Sequence, residues 1–468
     1  MKATRLFTTI FTCAIILFAG CSGKDDPVKK DDGKMLTLST DICYLDFNGV
    51  GSNATFPAIE FTIDSESDWT LSFSSGANTY FKTNISRGGN GEHTITVQFT
   101  PAFVAMIEGG GSLHDNLAGS LYFTNNSGTE KEFKVYYMGA GTAACPRMIF
   151  TVAELQAVNN NIDWHYLLMN DLTVDNWLPI GNCVGGYAEN LFSGSVDGQG
   201  YSVILNSFST EVQKGINNNY YYGLIGYMGK AGQVKNLHVQ VNAPASSLKT
   251  DGRVSYGGIA GAMVSYHRVG IENCRVSGTL AVNSAASDII CIGGIVGRVD
   301  DLFSELTNCV SEAAINVVGE HMVYAGGLVG GLHGGKLSYS YATGAVNATG
   351  SINCSVGGLV GNSLVGTITS CVALCGSVTN VNTGSGTTDT GRILGYRSSS
   401  TFTNNYANSA MTVNGAIVST FTDEEEIGVT LSTTQSQNWW SSNPGFTFSA
   451  SAWKWDANTK MPKLYWEE

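Results

Sequence analysis

Charge is scarce in this sequence. Asp, Glu, Lys and Arg supply 13% of its 468 residues, and acids outnumber bases 38 to 25, for a formal net charge of −13. A chain of that sign repels nucleic acid and anionic surfaces, so no nucleic-acid partner is expected. Proline is also rare, with eight residues against 57 glycines, although 43% of the chain is hydrophobic. That balance excludes disorder, and the many Thr, Ser, Asn and Val residues favour short strands and tight turns over helices. No CxxC pair and no HxxxH spacing occurs, so no zinc site is read, and neither a metal nor a cofactor is expected. No GxGxxG or GxxxxGK[ST] follows a strand and opens a helix, and GxSxG is missing, which leaves no phosphate cradle and no nucleophile elbow.

What is present begins with "MKATRLFTTIFTCAIILFAGCSG", a basic start at Lys2 and Arg5, an apolar run to Phe18, and small residues before Cys21. This is the layout of a secretory signal, with an apolar run too short to span a bilayer comfortably. The ending "LFAGC" resembles the lipobox of bacterial lipoproteins, which implies lipid attachment at Cys21 and removal of residues 1–20. Residues 21–34 are charged and lack aromatics, as expected of a solvated tether. Asp25 and Asp26 resemble the acidic export signal of surface lipoproteins, which implies an outer-membrane, cell-surface location with the membrane as partner. Loss of Lys2 and Arg5 leaves 23 bases against 38 acids, or −15. Of eleven cysteines, Cys13 and Cys21 fall in the leader and anchor, and the remaining nine are too irregular for a complete disulfide framework. Cys43, Cys145 and Cys183 stand alone.

Residues 35–140 alternate apolar and polar positions between turn clusters, as in "FPAIEFTID", "HTITVQFTP" and "EFKVYYMG". The pattern predicts an antiparallel sandwich. The order of Asp64, Trp69, "GGNGEHTITVQF" and "GSLYFTNNSGTEKEFKVYY" resembles the BACON family of immunoglobulin-like domains, apart from the insertion "AFVAMIEGGGSLHDN". That family is associated with carbohydrate-active surface proteins. Trp69, Tyr80 and Phe81 offer aromatic faces, but aromatics at strand entries of a sandwich chiefly pack its core, and no site is assigned to them.

From residue 146 to 468 the text changes. A helix is predicted over residues 152–159, with Thr151 as N-cap and Glu154 at the capping-box position. The helix, "YLLMNDLTV", "NWLPIG" and the turn "DGQGY" together resemble the opening coil of pectate-lyase-like right-handed β-helices. Then "GLIG" at Gly223, "GIAG" at Gly258, "GIVG" at Gly294 and "GLVG" at Gly327 and Gly358 recur at 35, 36, 33 and 31 residues, with a degenerate "RILG" at Arg392 after 34 more. Each is followed by a second landmark, in order Leu237, Cys274, Cys309, Tyr341, Cys371 and Tyr406. The pattern resembles the GLUG-motif repeat, which implies a stacked β-helix over about residues 220–415. Physics points the same way, because one such unit cannot bury its apolar face until another covers it. The expected fold is all-β: an N-terminal immunoglobulin-like sandwich followed by a right-handed parallel β-helix.

Three further expectations follow. Cys274, Cys309 and Tyr341 should occupy successive layers of one buried ladder, the cysteines acting as small hydrophobes. Trp439, Trp440, Trp453, Trp455 and Trp466 should cap the last coil. Alignment on the motif's last glycine places Asp300 beside His333, with Arg298, Asp301 and Lys336 close by. These two are the candidate acid and base, read in the first instance as a solvated surface ion pair. The polygalacturonase constellation is missing, so the expected function is a non-catalytic adhesin or glycan-binding surface protein, not an enzyme. A β-helix polysaccharide lyase or glycoside hydrolase is the alternative, and a purely structural surface protein a second one. Ligand and oligomeric state are open.

Overall fold

The computed structural model describes residues 35–467 apart from 48–53, 112, 182–189, 216–217, 265–267, 287 and 419–425. Cys21, the leader, the tether and Cys183 lie outside the described residues.

The first unit is a sandwich. Leu36–Leu38, Ile59–Ser65, Gly91–Phe99 and Phe81–Thr83 form one sheet; Ile42–Leu45, Glu130–Tyr137, Leu117–Asn125, Trp69–Phe73 and Arg87–Gly88 form the other. Period-two alternation sends Ile95, Val97 and Phe99 inward from one strand, and across the core Phe61 stacks on Phe133 at 3.9 Å. Trp69 and Phe81 are fully buried and Tyr80 packs edge-on against Phe103, so all three aromatics serve packing. The insertion is a helix, Pro101–Glu108, opened by proline at its first turn and seated by Phe103 stacked on Phe99 at 3.8 Å.

The second unit is a parallel β-helix. Its opening helix runs Val152–Ala157 with the full Thr151 and Glu154 capping box, then tightens into a 3-10 turn. The coils build four faces, one coil supplying for example Asn219–Tyr222, Ile225–Gly229, Gln233–Lys235 and His238–Val241 on the first to fourth, and later coils place two strands on the fourth, such as Val310–Ser311 and Ala314–Gly319. Strands of successive coils pair in parallel and in register, with six on each of the first two faces and nine on the third. Leu328 and Val329 are both 0% exposed and in the core, because the chain turns a corner between them and adjacent residues can both point inward.

That corner explains the glycines. A Cβ on Gly258, Gly294, Gly327 or Gly358 would lie closer than 3.0 Å to the carbonyl oxygen of the next coil's equivalent residue. The last motif carries Arg392 instead, since no further coil is stacked there on the first three faces among the described residues. Its guanidinium meets Glu426 at 2.6 Å in a pair whose side chains are only 3% and 9% exposed. Glu426 opens Glu426–Val429, which adds one more strand to the fourth face alone.

Two expectations are corrected. The buried ladder runs Leu237, Cys274, Cys309, Ser340, Cys371 and Asn405, and Tyr341 sits one residue past it. The residue before each ladder position, Asn236, Asn273, Asn308, Tyr339, Ser370 and Asn404, has positive φ, which turns the next side chain into the core. Ser340 satisfies its hydroxyl inside the ladder: its Oγ donates to the Ser338 carbonyl at 2.8 Å and accepts the Cys309 N–H at 2.9 Å. The cysteines are buried free thiols. Tyr341 points outward, under the tryptophan-rich end.

That end is a strap along the side of the coils, where a cap over the last one was expected. Trp439 touches Tyr406, Tyr341 Oη donates to the Pro462 carbonyl at 2.7 Å, Trp453 Nε1 donates to Asn308 at 3.1 Å, and Trp466 Nε1 to the Asn273 carbonyl at 2.9 Å. It therefore runs back against the stacking direction, burying the outward apolar row Val310, Tyr341, Val372 and Tyr406.

Gly327→Ala should destabilise the protein by about 1–3 kcal/mol, as an overpacked core does, because its methyl group meets both the Gly358 carbonyl and the Ala342 side chain. Arg392→Ala should cost about 3 kcal/mol or more by removing the cation facing buried Glu426. Denaturant unfolding of the two variants, compared with wild type, checks both.

Candidate functional site

The last glycine of the motif, such as Gly297 or Gly330, presses against backbone of the first face, so the first two faces fold sharply together. Their outward side chains consequently meet: the Tyr221 and Tyr227 rings lie 4.6 Å apart. The result is a crease running along the coil axis. Register lines one wall with Tyr221, Ser255, Cys291, Tyr324, Ser355 and Asp389. The other wall carries Tyr227, Ala262, Arg298, Gly331, Asn362 and Tyr396. Five layer steps make it about 24 Å long.

Asp300 and His333 sit at its edge, one residue beyond strands Val296–Val299 and Val329–Leu332. Stacking brings them together as the alignment predicts: His333 Nδ1 lies 3.3 Å from Asp300 Oδ1, and Arg298 Nε donates to the same oxygen at 2.6 Å. Their side chains are 27% and 16% exposed, so the pair is largely enclosed, not a solvated surface pair. Burial pushes the Asp300 carboxyl up, but the hydrogen bond from His333 and the Arg298 charge together outweigh it and hold the group below its usual range. Asp301 lies apart from the pair, bonding Ser304 and the Phe303 N–H within its own turn, and Lys336 lies beside Glu305 on the third face.

The far side of the imidazole matters for chemistry. His333 Nε2 lies 3.2 Å from the Asn362 amide oxygen, and the Tyr324 ring stands edge-on at 6.1 Å. A neutral ring that donates Nδ1–H to Asp300 keeps its lone pair at Nε2, which meets the Asn362 side chain favourably when the amide turns its N–H2 toward it; this is the arrangement in which a carboxylate orients a general base. Cys291 is the nearby thiol. Its Sγ and His333 Nε2 lie 3.7 and 3.2 Å from the point a Cβ on Gly331 would occupy. At 1% exposure, burial pushes its thiol up to about 12 despite the opposing Arg298 charge, so it is inert in this arrangement.

A second imidazole was not found from sequence. His238 on the fourth face is 3.2 Å from Ser202 Oγ through Nδ1 and 2.8 Å from Ser277 Oγ through Nε2. Burial, reinforced by the Arg275 charge, pushes its pKa down to about 4, which makes it a poor base near neutrality. These residues are 36 to 39 positions apart, and only aligning the fourth-face strands, Ser202 with His238 with Arg275, would have revealed them.

No family model matches the chain. The fold does have a solved counterpart. The structure described as a "putative immunoglobulin A1 protease" from Bacteroides ovatus is 20% identical, with a TM-score of 0.51 over 70% of this chain and 95% of that one. A second structure, an IgA1 protease, is 15% identical with a TM-score of 0.35 over 67% of this chain and 24% of that one, too low to carry an argument. In sequence, halomucin of Haloquadratum walsbyi is 30% identical over 248 residues, which is 50% of this chain and 2% of that protein. The chain thus spans about a fiftieth of its curated relative. The expectation that the chain is not an enzyme is corrected on this finding, since the solved structure sharing its fold carries a protease designation.

His238 sets a pH dependence. Its folded pKa lies below the ordinary value of 6.5, so between pH 6.5 and about 4 the unfolded chain binds the extra proton and stability falls on acidification, by at most about 3 kcal/mol. Asp300, held low, keeps its own contribution until the pH drops further. His238→Gln should flatten unfolding free energy between pH 6.5 and 4.5, measured by urea titration at each pH.

Proposed function

We propose that the protein is a surface-displayed hydrolase that holds an extended extracellular glycoprotein along the outer edge of the crease and cleaves its peptide backbone. The observation that carries this reading is the enclosed contact of His333 Nδ1 with Asp300, which leaves Nε2 facing the crease. In this reading His333 takes a proton from an attacking water and returns it to the leaving amine, Asp300 orients the ring, and Arg298 keeps Asp300 ionised. The designation of the Bacteroides ovatus structure supports a peptide substrate. So does the carboxylate inventory: a glycosidase needs two carboxyl groups flanking one bond, whereas the wall carboxylate Asp389 lies three coils beyond the layer of Asp300. Tyr324 and Tyr396 present aromatic edges along the crease suited to the glycan part of such a substrate. Lipid attachment at Cys21, the tether, the outer-membrane location and the GLUG and BACON assignments belong to the same proposal and rest on sequence pattern.

The test incubates the mature chain with immunoglobulin A1 and with a mucin, and reads fragments by mass spectrometry. Asp300→Asn and His333→Ala should each slow cleavage about a hundredfold at a temperature where both variants remain folded, which their melting curves establish. Unchanged cleavage by His333→Ala, or reducing sugar released from polysaccharide without peptide fragments, would refute the reading. Protease shaving of intact cells checks display: an untouched protein rejects it.

A further inference from the structure

A separate site lies where the two units join. The sandwich ends with Glu130–Tyr137 and the β-helix starts with Arg147–Ile149, and the connection between them is tightly packed. Met148 N–H donates to the Met138 carbonyl at 2.7 Å, His165 N–H to the Gly141 carbonyl at 2.8 Å, and the Trp164 ring covers Gly141, where any side chain would collide with it. Gly141 is at φ +78°, a conformation suited to glycine. Across the joint Tyr44 meets Phe150 at 4.7 Å, and Arg147 pairs with Asp46 at 2.6 Å. These contacts hold the two units together around a cavity of about 570 Å³.

The cavity has the size and placement of a small-ligand site, preformed and at a domain boundary. Its apolar side includes Phe47, stacked on Tyr137 at 5.3 Å and 6°, and Trp164. Its polar side includes Asp46, Arg147, Glu154 and Asn161. The charges there are partly engaged. Arg147 is held by Asp46 and by the Gly139 carbonyl at 3.3 Å, while Glu154 accepts the Phe150 and Thr151 N–H groups at 2.8 and 3.0 Å. The cavity wall sets three carboxylates, Asp46, Glu108 and Glu154, against the single cation Arg147, so a uronate or phosphate is repelled, while Asp46 and Glu154 already hold the partners named above. Aromatic faces beside carboxylate, amide and guanidinium edges, in a wall that repels anions and whose Asp46 and Glu154 are already engaged, match a neutral, polyhydroxylated ligand, whose C–H faces stack and whose hydroxyls bridge Asp, Asn and the remaining Arg147 N–H edges.

We infer that the joint between sandwich and β-helix is a binding site for a neutral oligosaccharide, separate from the crease and independent of the activity proposed there. The experiment is calorimetric titration of the mature chain with the hexasaccharides of glucose, mannose and N-acetylglucosamine, and with hexagalacturonate. At least one neutral sugar should bind and the uronate should not. Trp164→Ala should weaken that binding about tenfold or more, Trp164→Phe should restore part of it, and His333→Ala should bind as wild type. If Trp164→Ala fails to fold, Phe47→Ala and the exposed-rim change Asn160→Ala decide instead, with melting temperature recorded for each. Binding of none of the neutral sugars, preference for the uronate, or neutral binding indifferent to these substitutions overturns the inference.

Discussion

The spacing between hydrogen-bonded parallel strands, about 4.8 Å, governs this molecule. Once each coil must lie that close to the next, every corner residue is judged by whether a side chain fits under the carbonyl above it. Gly258, Gly294, Gly327 and Gly358 meet that demand by having none. Arg392 takes the same place where the constraint lapses, and its charge is then matched by Glu426 from the additional strand. The corner also explains why an apolar pair such as Leu328 and Val329 follows each glycine, since both residues face the core.

The same spacing creates the chemistry. Asp300 and His333 are 33 residues apart in sequence and one layer apart in space. The pinch that folds the first two faces together encloses them, and that enclosure separates this pair from an ordinary surface ion pair. It also silences Cys291, whose thiol shares the layer but is shut away from water. A catalytic reading therefore rests on the imidazole and its carboxylate, with the sulfur as part of the wall.

Much of this was legible in the sequence because the repeat carries its own ruler. The motif glycines gave the coil length, the capping box of Thr151 and Glu154 marked where the stack begins, and alignment on the last glycine found the Asp300 and His333 contact. The second landmark was less secure. Tyr341 and Tyr406 looked equivalent to the cysteines, but the positive-φ residue before each ladder position sets the register, and it placed Ser340 and Asn405 inside instead. Hydrophobicity alone cannot separate a residue buried in the core from one buried beneath the strap. The strap itself, the His238 cluster and the cavity at the joint depend on contacts between segments far apart in the chain, such as Trp466 with Asn273, that no local pattern encodes.

The strap has a mechanical consequence. A bare solenoid pulled from its C-terminus would unzip one layer at a time, each rupture needing only the force to peel a single coil. Here the terminal segment doubles back from the Tyr406 layer to the Asn273 layer, so tension on Trp466 reaches an interior coil before the last one. Load is then shared in shear along a row of rings and hydrogen bonds, and the coils between those two layers resist the pull as a single body.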